Sequence, residues 1–253
     1  MSVRRAKKTQ SLTIAELASA ARSADADAQA ELAWRYDQGI GVNASPALAF
    51  RWYRAAAVQG SVGAQYQLAR AYALGRGVRR DRTRATEWYL KAAEGGDTAA
   101  MFNVSVEYIY GKGASKNRKR GMVWLRKAVA AGDADAIGLL ADCLRDGVGV
   151  RRNLTEAVRL YRADAASGSA ESALSLGHAF FTGHGVRVDH SKAMYWYRVA
   201  ARRGSSGAMF NIGLMYRDGE GVKANRRTAK AWLNKSASLG NAGARKLLRT
   251  WVA

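Results

Sequence analysis

The first glycine of a Gly-x-Gly pair recurs at Gly39, Gly75, Gly111, Gly147, Gly183 and Gly219, each 36 residues after the last. A second column, Gly60, Gly96, Gly132, Gly168, Gly204 and Gly240, keeps the same step without an insertion or deletion. A fixed period of this length marks a repeat array, in which each unit packs only on its neighbours. Such an array presents an extended surface instead of one enclosed pocket, so binding is expected before chemistry.

One period shows the local logic. Ala64, Leu68 and Tyr72 fall at i, i+4 and i+8 and form the apolar stripe of a first helix. The segment Gly75-Arg-Gly-Val stops that helix, glycine being free to take the left-handed C-terminal conformation. Asp81 then caps a second helix carrying Ala85, Trp88, Tyr89, Ala92 and Ala93. The cap column reads Ser45, Asp81, Asn117, Asn153, Asp189 and Asn225, all preferred N-cap types, and Pro46 stands at a first helical position. An aromatic column reads Trp52, Trp88, Trp124, Leu160, Trp196 and Trp232. Small residues at Ala56, Ala92, Ala128, Ala200 and Ser236 let helices approach, and Asp164 breaks that column.

These residues resemble the Sel-one-like repeat family, a relative of the tetratricopeptide repeat. Residues 169–204 carry the resemblance best, with Leu176, Gly177, Phe180, Gly183, Gly185, Val186, Asp189, Lys192, Ala193, Trp196, Tyr197, Ala200, Ala201 and Gly204 in place. The resemblance implies an all-α, right-handed α-solenoid of antiparallel helix pairs serving as a non-catalytic scaffold or adaptor in bacterial signalling, assembly or regulation. Repeats are expected over 25–60, 61–96, 97–132, 133–168, 169–204 and 205–240, with a capping half-repeat over 241–253. Residues 1–24 are expected to form a basic tail and a short helix near Ile14–Arg22. The fourth repeat departs most, with Leu144 for tyrosine and Leu160 for tryptophan, so looser packing is expected there.

Two surfaces are candidates for function. By analogy with tetratricopeptide proteins, first-helix positions off the apolar stripe line a concave groove. These are Trp34, Tyr66, Arg70, Phe102, Val106 and Ile109, followed by Arg145, Leu174, His178, Phe181, Phe210, Leu214 and Arg217. Aromatics interleaved with arginines suit an extended peptide or a partner helix; the competing reading is that these rings pack between repeats. The second surface is the loop edge, whose windows in repeats two to six hold 17 Lys or Arg against four acids. Repeat two gives Arg76, Arg79, Arg80, Arg82 and Arg84, and repeat three gives Lys112, Lys116, Arg118, Lys119 and Arg120. Arg151, Arg152, Arg187, Lys192, Lys223, Arg226 and Arg227 complete it.

Net charge is +21, which bears on partners rather than on fold. A protein partner, acidic in character, is the expectation, and a nucleic acid or another polyanion on the basic edge is the alternative. Those loops hold almost no aromatic residues for base stacking, which weighs against nucleic acid. Catalytic signals are thin. His178, His184 and His190 are six apart and lack the spacing of a helical zinc pair, and neither a dinucleotide fingerprint nor a P-loop is present. No enzyme activity, cofactor or metal is expected. The one cysteine, Cys143, excludes an internal disulfide, reads as buried and fits a reducing compartment. It also argues against the hydrolase role of a few cysteine-rich relatives. With no long apolar run and no secretory signal, the expected location is the cytoplasm.

Overall fold

The computed structural model describes residues 12–251, so the basic tail expected at the N-terminus lies largely outside them. Every regular element among the described residues is an α-helix. Helix α1 (Ile14–Arg22) stands where the short helix is expected and opens on a reciprocal Thr13–Glu16 capping box. The pairs that follow are α2 (Ala26–Gln38) with α3 (Pro46–Val58), α4 (Val62–Leu74) with α5 (Arg82–Glu94), and α6 (Thr98–Tyr110) with α7 (Arg118–Ala130). Next come α8 (Ala134–Asp146) with α9 (Leu154–Ala166), α10 (Ala170–Thr182) with α11 (His190–Arg202), and α12 (Ser206–Asp218) with α13 (Arg226–Ser238). Helix α14 (Ala242–Arg249) is the half-repeat. Helix pairs recurring every 36 residues make this an α-solenoid.

The expected caps are in place. Asp81 accepts from the Arg84 N–H at 2.9 Å and Asn117 from the Arg120 N–H at 3.0 Å. Ser45, Asn153, Asp189 and Asn225 bond the N–H three residues on in the same way. The first helices carry caps of their own, including Asp25, Asp97, Ser169, Ser205 and Asn241. Each cap contributes about 1 kcal/mol.

The two glycines of a pair do different work. Gly75 ends α4 in the left-handed region at φ 75°, donating to the Ala71 carbonyl. Gly77 also has a positive φ, of 69°, but a Cβ there would lie 2.0 Å from the Pro46 carbonyl oxygen. The second glycine therefore seats the loop on the first turn of the preceding repeat's second helix.

The described residues form two compact units, meeting in sequence at Asp133 and Ala134. In the first, Ala49, Tyr53, Ala64, Leu68, Tyr72, Ala85, Tyr89, Ala92, Val104 and Trp124 share one buried core, and Leu17, Ala21, Ala28 and Leu32 fix α1 to α2. In the second, Leu140, Leu144, Leu160, Tyr161, Leu176, Phe180, Tyr197, Ile212 and Leu233 are buried. The deepest aromatics of the second helices are the tyrosines beside the tryptophan column, such as Tyr89 and Tyr197. The tryptophans are mostly half-buried, and a lysine three residues on covers several of them. Lys91 lies 4.1 Å from the Trp88 ring centre, and Lys127 lies 4.2 Å from that of Trp124.

Candidate functional site

In the first unit, candidate residues from both surfaces face one cleft of about 390 Å³. Helix α4 supplies Tyr66, Arg70, Ala73 and Leu74, the loop supplies Arg80, α5 supplies Arg82 and Tyr89, and α6 supplies Asn103 and Glu107. Tyr66 leans on Tyr89 at 5.8 Å between ring centres, and the Arg70 guanidinium lies 5.9 Å from the Tyr66 ring while donating to Gln67 Oε1 at 3.2 Å. Glu107 is 8% exposed, and its Oε2 accepts no hydrogen bond. Its Oε1 lies 3.9 Å from Arg82 Nη1. Burial raises its carboxyl above the usual range, opposed by the charges of Arg82 and Lys112 and by a hydrogen bond from the Gly113 backbone N–H.

Glu107 was not among the sequence candidates, yet the period holds its signal. Its column reads Arg35, Ala71, Glu107, Cys143, Ala179 and Met215, and every one of these positions is buried. A carboxylate in such a column is costly to bury, which singles it out. Cys143 is buried as expected, at 2% exposure.

One groove candidate is overturned. Ile109 is 1% exposed and lines no open surface. Its side chain fills the space left by Gly121 on α7, where an added Cβ would lie 2.6 Å from Ile109 Cγ1. Trp34 stays 43% exposed, and Phe102 and Val106 are half-buried on α6.

In the second unit, Arg145, Leu174 and His178 come together in a cleft of about 420 Å³ that also takes in Leu154, Val158, Tyr161 and His184. Burial lowers the His178 pKa, helped by the nearby charges of His184 and Arg145. Beside it lies a more polar cleft of about 650 Å³ with Asp135, Gly138, Asp142, Asp164, Glu171, Ser172 and Ser175 in its wall. Looser packing is expected in repeat four at Leu144 and Leu160. Leu144 and Leu160 are themselves well buried, and the space opens at Gly138, where other repeats carry larger side chains. Tyr161 donates to Asp142 Oδ1 at 2.6 Å, and Arg145 donates to the Tyr161 hydroxyl and to Asp142, both at 2.9 Å. Asp164, 7% exposed, accepts a short hydrogen bond from the Ser172 hydroxyl.

Other candidates are held by packing. Phe181 stacks on His190 with ring centres 5.1 Å apart, Phe210 lies against Gly243 of α14, and Arg217 pairs with Asp218 at 2.6 Å. Leu214 is half-buried on α12.

On the basic edge, Arg79, Arg80, Lys112, Lys116, Arg118, Lys119, Arg120, Arg151, Arg152, Lys223, Arg226 and Arg227 are exposed. Several of its arginines are engaged within the chain: Arg76 with Asp37 at 3.0 Å, Arg84 with Asp81 at 3.4 Å, and Arg152 with the Arg145 carbonyl at 2.9 Å. The loops themselves hold almost no rings, as the sequence shows. Rings do lie beside this charge, supplied by the ends of the first helices and not by the loops. Arg120 rests 4.6 Å from the Tyr108 ring centre and Arg84 5.7 Å from that of Tyr72. Both rings are 7% exposed and closed to a stacking base, whereas Tyr110, whose ring centre lies 5.6 Å from Lys112 Nζ, is 51% exposed.

Among the described residues no group of three His, Cys, Asp or Glu side chains is placed to hold a metal, and no helix is long and apolar enough to cross a membrane.

The sequence matches the Sel1 repeat family at residues 26–61, 62–97, 98–133, 134–169, 170–205 and 206–241. No curated protein matches it. A protective antigen of uropathogenic Escherichia coli strains, displaying an SLR fold, is similar at 32% identity and a TM-score of 0.84 over 94% of this chain. The chain spans 52% of that protein, about half its length. A Sel1 repeat protein from Oxalobacter formigenes is similar at 31% identity and a TM-score of 0.75, over 84% of this chain and 85% of that one. An immunity protein from Pseudomonas aeruginosa shares the fold, at 21% identity and a TM-score of 0.50 over 74% of this chain and 68% of its own. Sel1-repeat proteins are in general protein-interaction scaffolds. Six consecutive matches in constant register place this chain in the Sel1 repeat family.

Proposed function

We propose that this chain is a non-catalytic scaffold that holds a protein partner through the clefts of its first-helix faces. One observation carries the reading: several residues that depart from the 36-residue period line open clefts beside the first helices. Arg70 and Glu107 do so in the first unit, and Gly138, Asp142, Arg145, Asp164 and His178 do so in the second. A scaffold needs in-period residues to stack and out-of-period residues to discriminate. Clefts walled by tyrosine, arginine and half-buried aliphatic groups suit protein recognition, since Tyr and Arg anchors dominate such interfaces. The buried lone Cys143 supports work in a reducing compartment such as the cytoplasm.

The test is affinity capture from the native host with wild type, an Arg70→Ala/Tyr66→Ala variant and an Arg145→Ala/His178→Ala variant, helicity being checked for each. Loss of specific proteins from either variant supports the reading. An unchanged set of captured proteins contradicts it.

A further inference from the structure

Two adjoining clefts in the second unit share Arg145, Tyr161, Glu171 and Ser175 in their walls. One of them is acidic: Asp135, Asp142, Asp164 and Glu171 line it against the single guanidinium of Arg145, in a chain whose net charge is +21. Arg145 is held by Asp142 and Asp146, and Arg203 nearby donates to the Ala165 and Ser169 carbonyls. Among the described residues no lysine or arginine pairs with Asp135, Asp164 or Glu171. Asp164 is the deepest of these carboxylates, at 7% exposure. Its Oδ2 accepts from Ser172, and its Oδ1 accepts no hydrogen bond among the described residues. Of those residues only Glu107 has a side-chain oxygen both unbonded and sealed from solvent, so Asp164 Oδ1 keeps surface open to the cleft. A buried carboxylate with no counter-ion and one oxygen free calls for a cation from outside the chain.

Two departures from the period make this opening together. Asp164 stands where other repeats carry Ala56, Ala92, Ala128, Ala200 and Ser236, and Gly138 stands where they carry residues such as Tyr66, Phe102 and Phe210. A Cβ on Gly138 would lie 3.1 Å from Asp164 Oδ2, so a larger residue there would cover the carboxylate. The acidic side chains surround a space of about 650 Å³, and among the described residues no three converge as a metal requires. A guanidinium, with its planar fork of N–H donors, bridges such separated acceptors where a point charge does not. The second cleft is largely apolar, with Val158 and Ala179 buried in its wall and Leu154 and Leu174 half-buried.

We propose that the two clefts together dock a protein segment bearing an arginine close to an apolar residue: the guanidinium binds Asp164, Asp135 and Glu171, and the apolar side chain packs on Leu154, Val158 and Leu174. This deepens the scaffold reading and rests on it. Charge complementarity selects the occupant, because a local acidic site attracts the cation that the rest of the surface repels.

The probe is a fluorescent peptide, acetyl-Leu-Gly-Arg-Gly-Leu-amide, followed by anisotropy and compared with acetyl-Leu-Gly-Glu-Gly-Leu-amide. A chain of net charge +21 draws the acidic peptide, so preference for the basic one requires a local acidic site. Saturable binding of the basic peptide, about ten-fold tighter than the acidic one, is expected. Asp164→Asn keeps the shape and an acceptor for Ser172, and should weaken binding about ten-fold as charge-assisted hydrogen bonds are lost. Glu171 is exposed, so Glu171→Gln leaves the fold untouched and should weaken binding about three-fold. Leu174→Ala should weaken it about five-fold through lost apolar contact. Glu220→Gln makes the same change of charge at an exposed position outside both clefts and leaves affinity unchanged. Circular dichroism and melting confirm that each variant is folded.

Absent binding to wild type, preference for the acidic peptide, or affinity that neither Asp164→Asn nor Glu171→Gln changes each overturns the proposal. Self-association of wild type that Asp164→Asn abolishes also overturns it, since the cleft would then hold an arginine of a second copy. If the peptide fails while Arg70→Ala/Tyr66→Ala still loses captured proteins, this site is removed and the scaffold reading stands.

Discussion

At the scale of single residues, Glu107 carries a cost in stability that the fold does not explain. A buried carboxylate with one oxygen unbonded destabilises by about 1–3 kcal/mol, and the isosteric amide relieves the charge. Glu107→Gln is therefore expected to raise unfolding stability by about 1 kcal/mol at neutral pH. Because burial raises the folded-state pKa, the folded chain binds more protons than the unfolded chain between the two values. The Glu107 penalty is thus small below the ordinary glutamate range, grows as pH rises through the raised value, and is complete above it. Urea unfolding at acid and neutral pH reads this directly. The advantage of the variant over wild type should widen with pH, and a constant difference would contradict the account. Asp164 and Ser172 invite a second residue-scale test. Ser172→Ala alone strands a buried carboxylate and is expected to cost about 1–3 kcal/mol. With Asp164→Ala added, the alanine of the neighbouring repeats returns and wild-type stability or better is expected from the same unfolding curves.

At the scale of helices and loops, the period could be read almost in full. The six cap residues Ser45, Asp81, Asn117, Asn153, Asp189 and Asn225 all bond as their types demand, because an N-cap is set by local chain geometry. What a helical wheel could not show is depth. Ile109 shares a column with Arg145, Phe181 and Arg217, yet it is buried because Gly121 on the next helix leaves room for it. That is a property of the pair and not of either helix. The glycines make a similar distinction testable. A Cβ on Gly96 meets nothing within 4 Å, so Gly96→Ala carries only the left-handed backbone penalty of about 1–2 kcal/mol. On Gly77 the added atom strikes the Pro46 carbonyl, so Gly77→Ala should cost clearly more and displace the loop. Thermal unfolding of the two variants compares them, and equal losses would contradict the seating role of the second glycine.

For the molecule as a whole, charge and period carry different information. The +21 excess draws anions of any kind, whereas the clefts discriminate among them. The basic edge was legible as composition, but its internal pairing, Arg76 to Asp37 or Arg152 to the Arg145 carbonyl, depends on contacts between neighbouring segments. Half of the first-unit site was legible in the same way: Tyr66, Arg70, Arg80 and Arg82 are visible as surface candidates. Glu107 and Asn103 were not, since their importance comes from the space that three helices leave between them. The central claim is that out-of-period cleft residues, and not the basic edge, select a protein partner. The most direct measurement is quantitative capture from the native host by wild type, by Arg70→Gln/Arg80→Gln and by an edge variant, Arg118→Gln/Lys119→Gln. The account predicts that specific proteins are lost with the cleft variant and kept with the edge variant. Proteins kept by the cleft variant, or nucleic acid recovered with wild type and lost with the edge variant, would contradict it.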